Sequence, residues 1–158
     1  MDASEEAASA GPSSIAALYR LQYEPMVRLA YLLVGTRAAA EDVVQDAFAQ
    51  MHQKWASVRS PNAYLRTSVI NGCRAHHRRV FRERARFPEL VTDSLSKESP
   101  MILDAVAQLP YRQRAALVLR FYEDLPDEEI AQALKCRPAT VRSLVHRGLA
   151  ALRKVVEP

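Results

Sequence analysis

The chain has 158 residues, 49% of them hydrophobic, which suits one ordinary domain or two small ones with real cores. Its net charge is +4 and its isoelectric point is about 9.3, a balance that favours a polyanionic partner. No apolar run approaches the ~20 residues that a membrane span requires, so membrane insertion is not expected. The N-terminus, MDASEEAASAGPSS, is acidic and rich in small residues rather than basic and then apolar. We therefore expect no signal peptide and a cytoplasmic location.

The cysteines and histidines do not suggest a metal or redox site. Cys73 and Cys136 lie far apart in helical patterns without CxxC spacing, so we expect small buried residues in a reducing compartment and no disulfide. Only one of His76 and His77 can share a helical face with Cys73, and no fourth ligand is evident. The sequence also lacks a glycine-rich phosphate loop, a nucleophile elbow and a paired-carboxylate site. We expect no catalytic site, no metal and no cofactor.

The residue pattern predicts an all-α chain, because glycines are few, alternating apolar positions are nearly absent and helix formers are abundant. After a disordered tail over residues 1–14, a first helix with a broad apolar face is predicted over Ile15–Leu33. Pro25 lies inside this helix and is expected to bend or split it. Gly35 and Thr36 end it.

Two more helices complete a predicted first domain over residues 15–86. The second is predicted from Ala38 to Trp55, and the third begins after Pro61 and runs past Arg79. The buried face of the second helix is expected to contain Val43, Val44, Ala47, Phe48 and Met51.

The pattern breaks down over residues 87–100, where two prolines and several serines interrupt any apolar period. This composition predicts a flexible linker between two small helical domains. A helical pattern resumes at Met101 and opens a second domain over residues 101–156. Pro110 restarts a helix whose apolar positions include Val118 and Phe121.

The segment from Leu125 to Lys154 predicts a helix-turn-helix. Three acids, Asp127 to Glu129, suit the N-terminal end of a first helix, and Lys135 to Arg137 form the turn. Pro138 suits the first position of a second helix, where its missing N–H costs nothing. The outer face of that helix is small, polar and basic, and no acid occurs between Glu129 and Glu157. The residues of this face that we expect to contact DNA are Ala139, Thr140, Arg142, Ser143, His146 and Arg147. The alternative is a generic helical hairpin with a solvated basic face, but such a hairpin needs neither a proline-started second helix nor the exclusion of neighbouring acids.

The predicted third helix carries a second basic surface. From Arg74 to Arg86 there are six arginines and two histidines against one acid. A stripe of Thr67, Asn71, Arg74 and Arg78 recurs at helical spacing and could follow a phosphate backbone. The alternative is an ordinary solvated helix end, where bases favour the negative C-terminus, and a lone Asn71 is more often a plain surface residue. Trp55 and Tyr64 bracket a loop where exposed rings could stack on single-stranded bases, although core packing is the commoner fate of such rings.

The order of these parts resembles the extracytoplasmic-function group of bacterial sigma factors, and within it the actinobacterial SigE-like group. Three segments carry the resemblance, which extends over about Leu18 to Lys154. They are AEDVVQDAF from Ala40, SPNAYLRTSVINGCRAHHRR from Ser60, and LPYRQRAALVLRFYEDLPDEEIAQALKCRPATVRSLVHRGLAALR from Leu109.

The resemblance implies a non-catalytic specificity subunit that binds core RNA polymerase through its first domain and promoter DNA through both domains. An anti-sigma factor is a further candidate partner. Glu41, Asp42, Gln45 and Asp46 match the face that meets the polymerase. Taken alone they could be ordinary exposed helix residues, and the resemblance decides in favour of the polymerase surface. The loop from Ala56 to Ser60, together with Asn71, matches the part that captures an unstacked base of the minus-ten element. Arg142, Ser143 and Arg147 match the helix that reads the minus-thirty-five element.

Two departures from the family pattern affect residue roles. Leu144 occupies a place where many members have a polar residue, so we expect packing rather than base contact. Pro126 stands where a capping Ser or Thr is usual, so we expect Asp124 to cap the first helix of the helix-turn-helix instead.

Two other classes of protein remain open from the sequence. A stand-alone helix-turn-helix regulator would bind duplex DNA without polymerase, usually as a symmetric dimer, but no dimer helix or ligand pocket is evident. A pure interaction protein would use the basic helices to bind an acidic partner.

Overall fold

The computed structural model describes residues 13–86 and 101–157, and every regular element in these two ranges is helical. The prediction of an all-α chain with two small helical domains is confirmed. Most of the predicted tail and the whole predicted linker, residues 1–12 and 87–100, lie outside the described residues. The α-helices are α1 (Ile15–Val34), α2 (Arg37–Lys54), α3 (Pro61–Arg86), α4 (Met101–Gln108), α5 (Tyr111–Leu117), α6 (Asp127–Leu134) and α7 (Pro138–Val156).

Helix α1 begins and ends at strong local signals. The Ser14 side chain accepts a hydrogen bond from the Ala17 amide, and Gly35 ends the helix with a φ of 90°, a left-handed conformation that glycine adopts without strain. The expectation that Pro25 splits this helix is wrong, because α1 continues through it. Proline costs a helix about 3 kcal/mol, whereas burial of Leu18 and Val27 on either side contributes about 1.5–3 kcal/mol each.

The first domain is a three-helix bundle in which α1, α2 and α3 pack against one another. Every residue predicted for the buried face of α2 is buried. Helices α2 and α3 approach closely at Gly72, where an added Cβ would lie 2.8 Å from Cγ1 of Val43. A side chain at this position would require Val43 or one of the two helices to shift. Trp55 ends the bundle in a single turn of 3₁₀ helix, Trp55–Ser57, rather than in α2 itself.

The second domain packs α5 and α6 against α7. Between α5 and the helix-turn-helix, residues Val118–Tyr122 form a π-helical turn in which the Glu123 amide donates to the Val118 carbonyl. The wider turn changes which side chains face inward. Leu119 is fully buried, whereas Phe121, predicted as an apolar position of this helix, is 61% exposed.

The two domains are in contact. Helix α1 packs against α4, α5 and the π-helical turn, and α3 packs against α6.

Candidate polymerase and nucleic-acid interfaces

The helix-turn-helix has the predicted geometry. Helix α6 ends at Leu134, its C-cap residue Lys135 is left-handed with a φ of 53°, and the Cys136 amide donates to the Ala131 carbonyl at 2.9 Å. Helix α7 then begins at Pro138 as its first residue. The two helices meet through buried apolar side chains, including Ile130 and Val141. The sharp turn and the proline start therefore fix how α7 is presented to the solvent.

The expectation that Asp124 caps α6 is wrong. Pro126 is the N-cap residue, and no side chain makes a capping hydrogen bond there. The Asp124 backbone is left-handed, with a φ of 53°, and lies between the π-helical turn and α6. The acidic first turn of α6 supplies the favourable charge that a cap would otherwise add.

The face of α7 predicted to meet DNA lies on the surface. Ala139, Arg142, Ser143, His146 and Arg147 are exposed and Thr140 is half-buried. Leu144 is buried, as its apolar character predicts. The Ser143 hydroxyl donates to the Ala139 carbonyl at 3.3 Å, so its oxygen can still accept a hydrogen bond. The geometry leaves a polar, basic strip facing solvent.

An ion pair that the sequence does not predict restrains one of these arginines. The Asp127 carboxylate lies 2.6 Å from Nη1 of Arg120 and 3.7 Å from Nη1 of Arg142. The Asp127 side chain is only 17% exposed, whereas that of Arg142 is 61% exposed. The pairing joins residues on three elements, so local spacing gives no signal for it.

The stripe predicted on α3 is only partly accessible. Thr67, Asn71 and Arg78 are exposed, but Arg74 is half-buried. Arg74 lies close enough to Tyr111 of α5 for its positive charge to act on the pKa of that phenol, although burial dominates and raises this pKa. Three of the four stripe residues are therefore accessible in this arrangement.

A cavity of about 400 Å³ lies beside the loop between α2 and α3. It is lined by Lys54, Ser57, Val58, Arg59, Ser60, Ala63, Tyr64 and Thr67. Asn71 is not part of this lining and lies one turn further along α3. Trp55 and Tyr64 are half-buried and pack against the core, so core packing describes them better than open stacking platforms. The surface exposed inside the cavity is mostly apolar, and polar and basic side chains such as Lys54, Arg59 and Thr67 contribute to its lining.

Exposed acids and amides lie together on α2. Asp42, Gln45 and Asp46 are exposed and share one side of the helix, opposite its buried face. Glu41 differs, because its carboxylate accepts a hydrogen bond from Nε of Arg37 at 2.9 Å. Arg37 also contacts Glu24 of α1 at 3.2 Å, so Glu41 helps to join α2 to α1.

The cysteine and histidine cluster has no metal-like geometry within residues 13–86 and 101–157, where no three suitable ligands converge. Burial raises the pKa of the Cys73 thiol to about 12, so this thiol stays protonated. Cys136 is half-buried. No helix in the described ranges is both long and apolar enough to span a bilayer.

Two family models match the chain and together cover most of it. The model described as Sigma-70 region 2 matches residues 18–83, and the model described as Sigma-70, region 4 matches residues 100–152. The boundary between them coincides with the change from α3 to α4.

Several full-length proteins are also similar. The RNA polymerase sigma-E factor of Streptomyces coelicolor is 33% identical over 150 residues, covering 85% of this chain and 81% of that protein. The ECF RNA polymerase sigma factor SigL of Mycobacterium tuberculosis is 30% identical over 172 aligned positions, covering 96% and 93%. Among solved structures, the sigma factor RpoE of Bartonella quintana, in complex with the anti-sigma factor NepR, superposes with a TM-score of 0.73. It is 22% identical and covers 89% of this chain and 94% of that chain.

The fold, the exposed surfaces and the two family-model matches together place the chain in the class of two-domain transcription initiation factors. The chain belongs to the sigma-70 family of RNA polymerase sigma factors, and within it to the extracytoplasmic-function type. It is a sigma factor that directs promoter recognition and transcription initiation, not a stand-alone helix-turn-helix regulator.

Proposed function

We propose that the chain binds core RNA polymerase and the two promoter elements through three separate surfaces. It performs no chemistry of its own. The exposed face of α2 binds core RNA polymerase. The basic side of α3 and the adjacent cavity take the minus-ten element. The outer face of α7 reads the minus-thirty-five element. We place this activity in the cytoplasm, where core polymerase and promoter DNA are present. The single observation that carries the proposal is the solvent-exposed strip from Arg142 to Arg147 on the second helix of the helix-turn-helix.

The polymerase surface is supported by exposure and charge. Asp42, Gln45 and Asp46 are accessible, whereas the opposite side of α2 is fully engaged in the core. Glu41 is held by Arg37, so we assign it a role in shaping this surface rather than in making a principal contact.

The minus-ten surface is supported by the cavity beside the loop from Ala56 to Ser60. A volume of about 400 Å³ is enough for an unstacked base, and polar side chains such as Ser57 and Thr67 can bond its edge. Lys54 and Arg59 at the same cavity suit the phosphates that flank such a base. Asn71 lies next to this cavity and is exposed, in a position to meet a neighbouring nucleotide.

The minus-thirty-five surface is supported by the way α7 begins. In helix-turn-helix proteins the N-terminal residues of the second helix reach base edges in the major groove. Arg142 and Ser143 lie in that part of α7, and Arg147 lies one turn later. Arg142 is therefore assigned to a base and Arg147 to a phosphate.

An anti-sigma factor is also proposed as a partner, by analogy with the complex formed by the similar RpoE. Its support here is an apolar cavity of about 470 Å³ between α1, α4 and the π-helical turn, lined in part by Tyr31, Leu103 and Tyr122. Met101, Ile102 and Phe121 are exposed large apolar side chains on the same two elements of the second domain. Exposed apolar surface of this kind suits the apolar face of a partner helix. Phe121→Asp should abolish binding of a co-expressed anti-sigma candidate, and unchanged binding would place that partner elsewhere.

Run-off transcription with purified core polymerase on a library of genomic promoters tests the main proposal. The full chain should direct initiation from a subset of promoters, and a variant carrying Arg142→Ala and Arg147→Ala should lose that selectivity. Binding to duplex DNA without polymerase, with no transcripts in its presence, would overturn it.

A further inference from the structure

A second cavity, of about 710 Å³, lies among the end of α1, the C-terminal half of α3 and the first turn of α5. None of its lining residues is among those assigned above to polymerase, to a promoter element or to an anti-sigma factor. Its volume lies within the range of small-molecule sites, about 300–1,000 Å³. The cavity is therefore large enough for a ligand that the proposed function does not use.

The polar wall of this cavity is basic. His76, His77 and Arg84 of α3 and Arg114 of α5 all line it. Among the described residues, no acidic side chain contributes to the lining. Positive charge concentrated in a cleft raises the local concentration of anions. The charge of the wall thus favours a negatively charged ligand.

The basic groups of the wall are close enough to act on one another. Burial lowers the pKa of Arg114, and the positive charge of Arg84 lowers it further. The pKa of His77 is lowered first by burial and then by like charges, including those of Arg114 and Arg84. A negative charge between these groups would favour their charged forms, because opposite charges a few ångströms apart attract. An anion in the cavity would therefore relieve this mutual repulsion.

Two hydrogen-bonding groups at the cavity are buried without a partner among residues 13–86 and 101–157. They are the hydroxyl of Tyr111, a residue that is only 7% exposed, and Nε of Arg114. The other nitrogens of this guanidinium are engaged, since Nη1 donates to the carbonyl of Leu33 at 2.8 Å and Nη2 to those of Ala107 and Leu109 at 2.7 and 3.2 Å. Burying a donor without an acceptor costs free energy. An acceptor that enters the cavity would recover this cost at both groups.

The remaining wall of the cavity is apolar. Val80 and Phe81 of α3 line it together with Leu109 and Pro110, which connect α4 to α5. The Phe81 side chain is large and apolar, yet the residue is 68% exposed. An inorganic ion would leave this wall in contact with water, whereas an apolar group would cover it. The two walls together fit a molecule with a charged end and an apolar body.

We propose that this cavity is a binding site for a small organic anion. The Tyr111 hydroxyl and Nε of Arg114 donate hydrogen bonds to its charged group, and Arg84 adds a further positive charge. The apolar body lies against Val80 and Phe81. The proposal goes beyond the proposed function and is tested on the free chain, without polymerase or DNA. Its failure would leave the proposed function untouched, and loss of promoter-directed transcription would leave this site untouched.

The site is probed with benzoate on the full chain at constant ionic strength. Magnetic resonance signals of the four histidine rings are followed from about pH 8 to about pH 5.5, a range in which a carboxylate stays ionised. Bound benzoate should raise the pKa of His77 and His76, because the anion favours their charged forms. His52 and His146 are exposed and lie outside the cavity, so their signals report non-specific association. Unchanged titration of His77, or equal changes at all four rings, would overturn the proposal.

Two further probes separate the contributions of the charge and of the apolar body. Acetate keeps the carboxylate and lacks the ring, whereas benzyl alcohol keeps the ring and lacks the charge. Benzoate should bind at least about fivefold more tightly than either probe, because it uses both walls of the cavity. Acetate binding as tightly as benzoate would show an adventitious ion only. Benzyl alcohol binding as tightly would show an apolar site, and either result would overturn the proposal.

Variants test the residues assigned to the charged group. Tyr111→Phe should weaken benzoate binding at least about tenfold, since it removes a hydrogen bond to a charged group. Its melting temperature should be no lower than that of the wild type, because the hydroxyl has no partner in the free chain. A lower melting temperature with unchanged affinity would show that this hydroxyl serves the fold, and would contradict its assignment.

An exposed arginine keeps the test informative if Tyr111→Phe disturbs packing. Arg84→Gln should weaken benzoate binding about twofold to fivefold, as expected for a partly solvated charge. Arg82→Gln is the matched control, because Arg82 is an exposed arginine of the same helix that does not line the cavity. The control should bind benzoate as the wild type does. Equal losses in the two variants would assign the effect to general surface charge and overturn the proposal.

Discussion

The side chain assigned to read the upstream element is paired with an acid in the free protein, because the carboxylate of Asp127 lies 3.7 Å from Nη1 of Arg142. Asp127 is also bound to Arg120 at 2.6 Å, which fixes the carboxylate in place. Arg142 is 61% exposed and lies near the start of α7, where base edges are reached. DNA must compete with Asp127 for this guanidinium.

The two arginines of α7 should differ in what their loss does. Arg142→Ala should cost about 1–3 kcal/mol on the cognate upstream element and relax discrimination at one base pair. Arg147→Ala should weaken all sequences alike and lower the salt slope of log affinity by about one, because one phosphate contact releases roughly one counterion. Affinities for matched and mutated elements across a salt series measure both effects. Wild-type binding by both variants would show that α7 is not the reader.

The acidic face of α2 should be required for polymerase binding. Asp42→Arg or Gln45→Ala should weaken association with core polymerase while the circular dichroism and melting temperature stay unchanged, since both residues are exposed. Ala49→Ser is the control, because it changes an exposed residue of α2 that is not assigned to the polymerase surface. Core affinities equal to that of the wild type for both variants would remove this surface from the interface.

Capture of the unpaired base should depend on Asn71 and on the neighbouring cavity. Asn71→Ala and Thr67→Ala should each impair open-complex formation more than initial DNA binding, because an unpaired base exists only after melting. Arg78→Ala should instead weaken initial binding, since a phosphate contact does not need melted DNA. Permanganate footprints of the melted region, compared with filter-binding affinities, separate the two steps. Footprints of Asn71→Ala identical to those of the wild type would contradict its role.

The close approach of α2 and α3 should make Gly72 intolerant of a side chain. Gly72→Ala gains up to about 1 kcal/mol of helix propensity but overpacks the stiff Val43 side chain, at a cost of about 1–3 kcal/mol. Gly148→Ala meets Cδ1 of Leu117 at the same 2.8 Å, and this more flexible side chain can move aside. Thermal unfolding should therefore show a larger loss of stability for Gly72→Ala. Equal melting temperatures for the two variants would indicate that α2 and α3 can separate without cost.

Acidification should weaken the contact between the two domains, where the rings of His77 and Tyr111 stack with centroids 4.4 Å apart. Burial, Arg114 of α5, and Arg84 and His76 of α3 lower the pKa of His77 below its usual value, so the docked arrangement of the two domains favours the neutral ring. The contribution of His77 to docking is therefore fully present above the ordinary histidine pKa near 6.5, and it is lost as the pH falls through the lowered pKa. The distance between spin labels at Ala16→Cys on α1 and Lys154→Cys on α7, both exposed positions, should broaden between about pH 8 and about pH 5. His77→Gln should weaken this dependence, and an identical pH profile in that variant would exclude His77 as the titrating group.

The sequence alone determined the helices, the buried face of α2 and the helix-turn-helix, because periodicity, caps and turns depend on residues a few positions apart. The helix starts and ends set by Ser14, Gly35 and Pro138 depend only on residues within about one helical turn, so the sequence shows them. The π-helical turn that exposes Phe121, and the continuation of α1 through Pro25, were decided by packing energies that outweigh local preference. Arg114 and Leu33 are 81 residues apart in sequence, and the contact between them exists only because the two domains dock. The pairing of Asp127 with Arg142 and the lining of the cavity beside Thr67 likewise join separate elements. Only the tertiary structure could place these groups, because a side chain's partners across elements depend on how the helices pack and not on its neighbours in the chain.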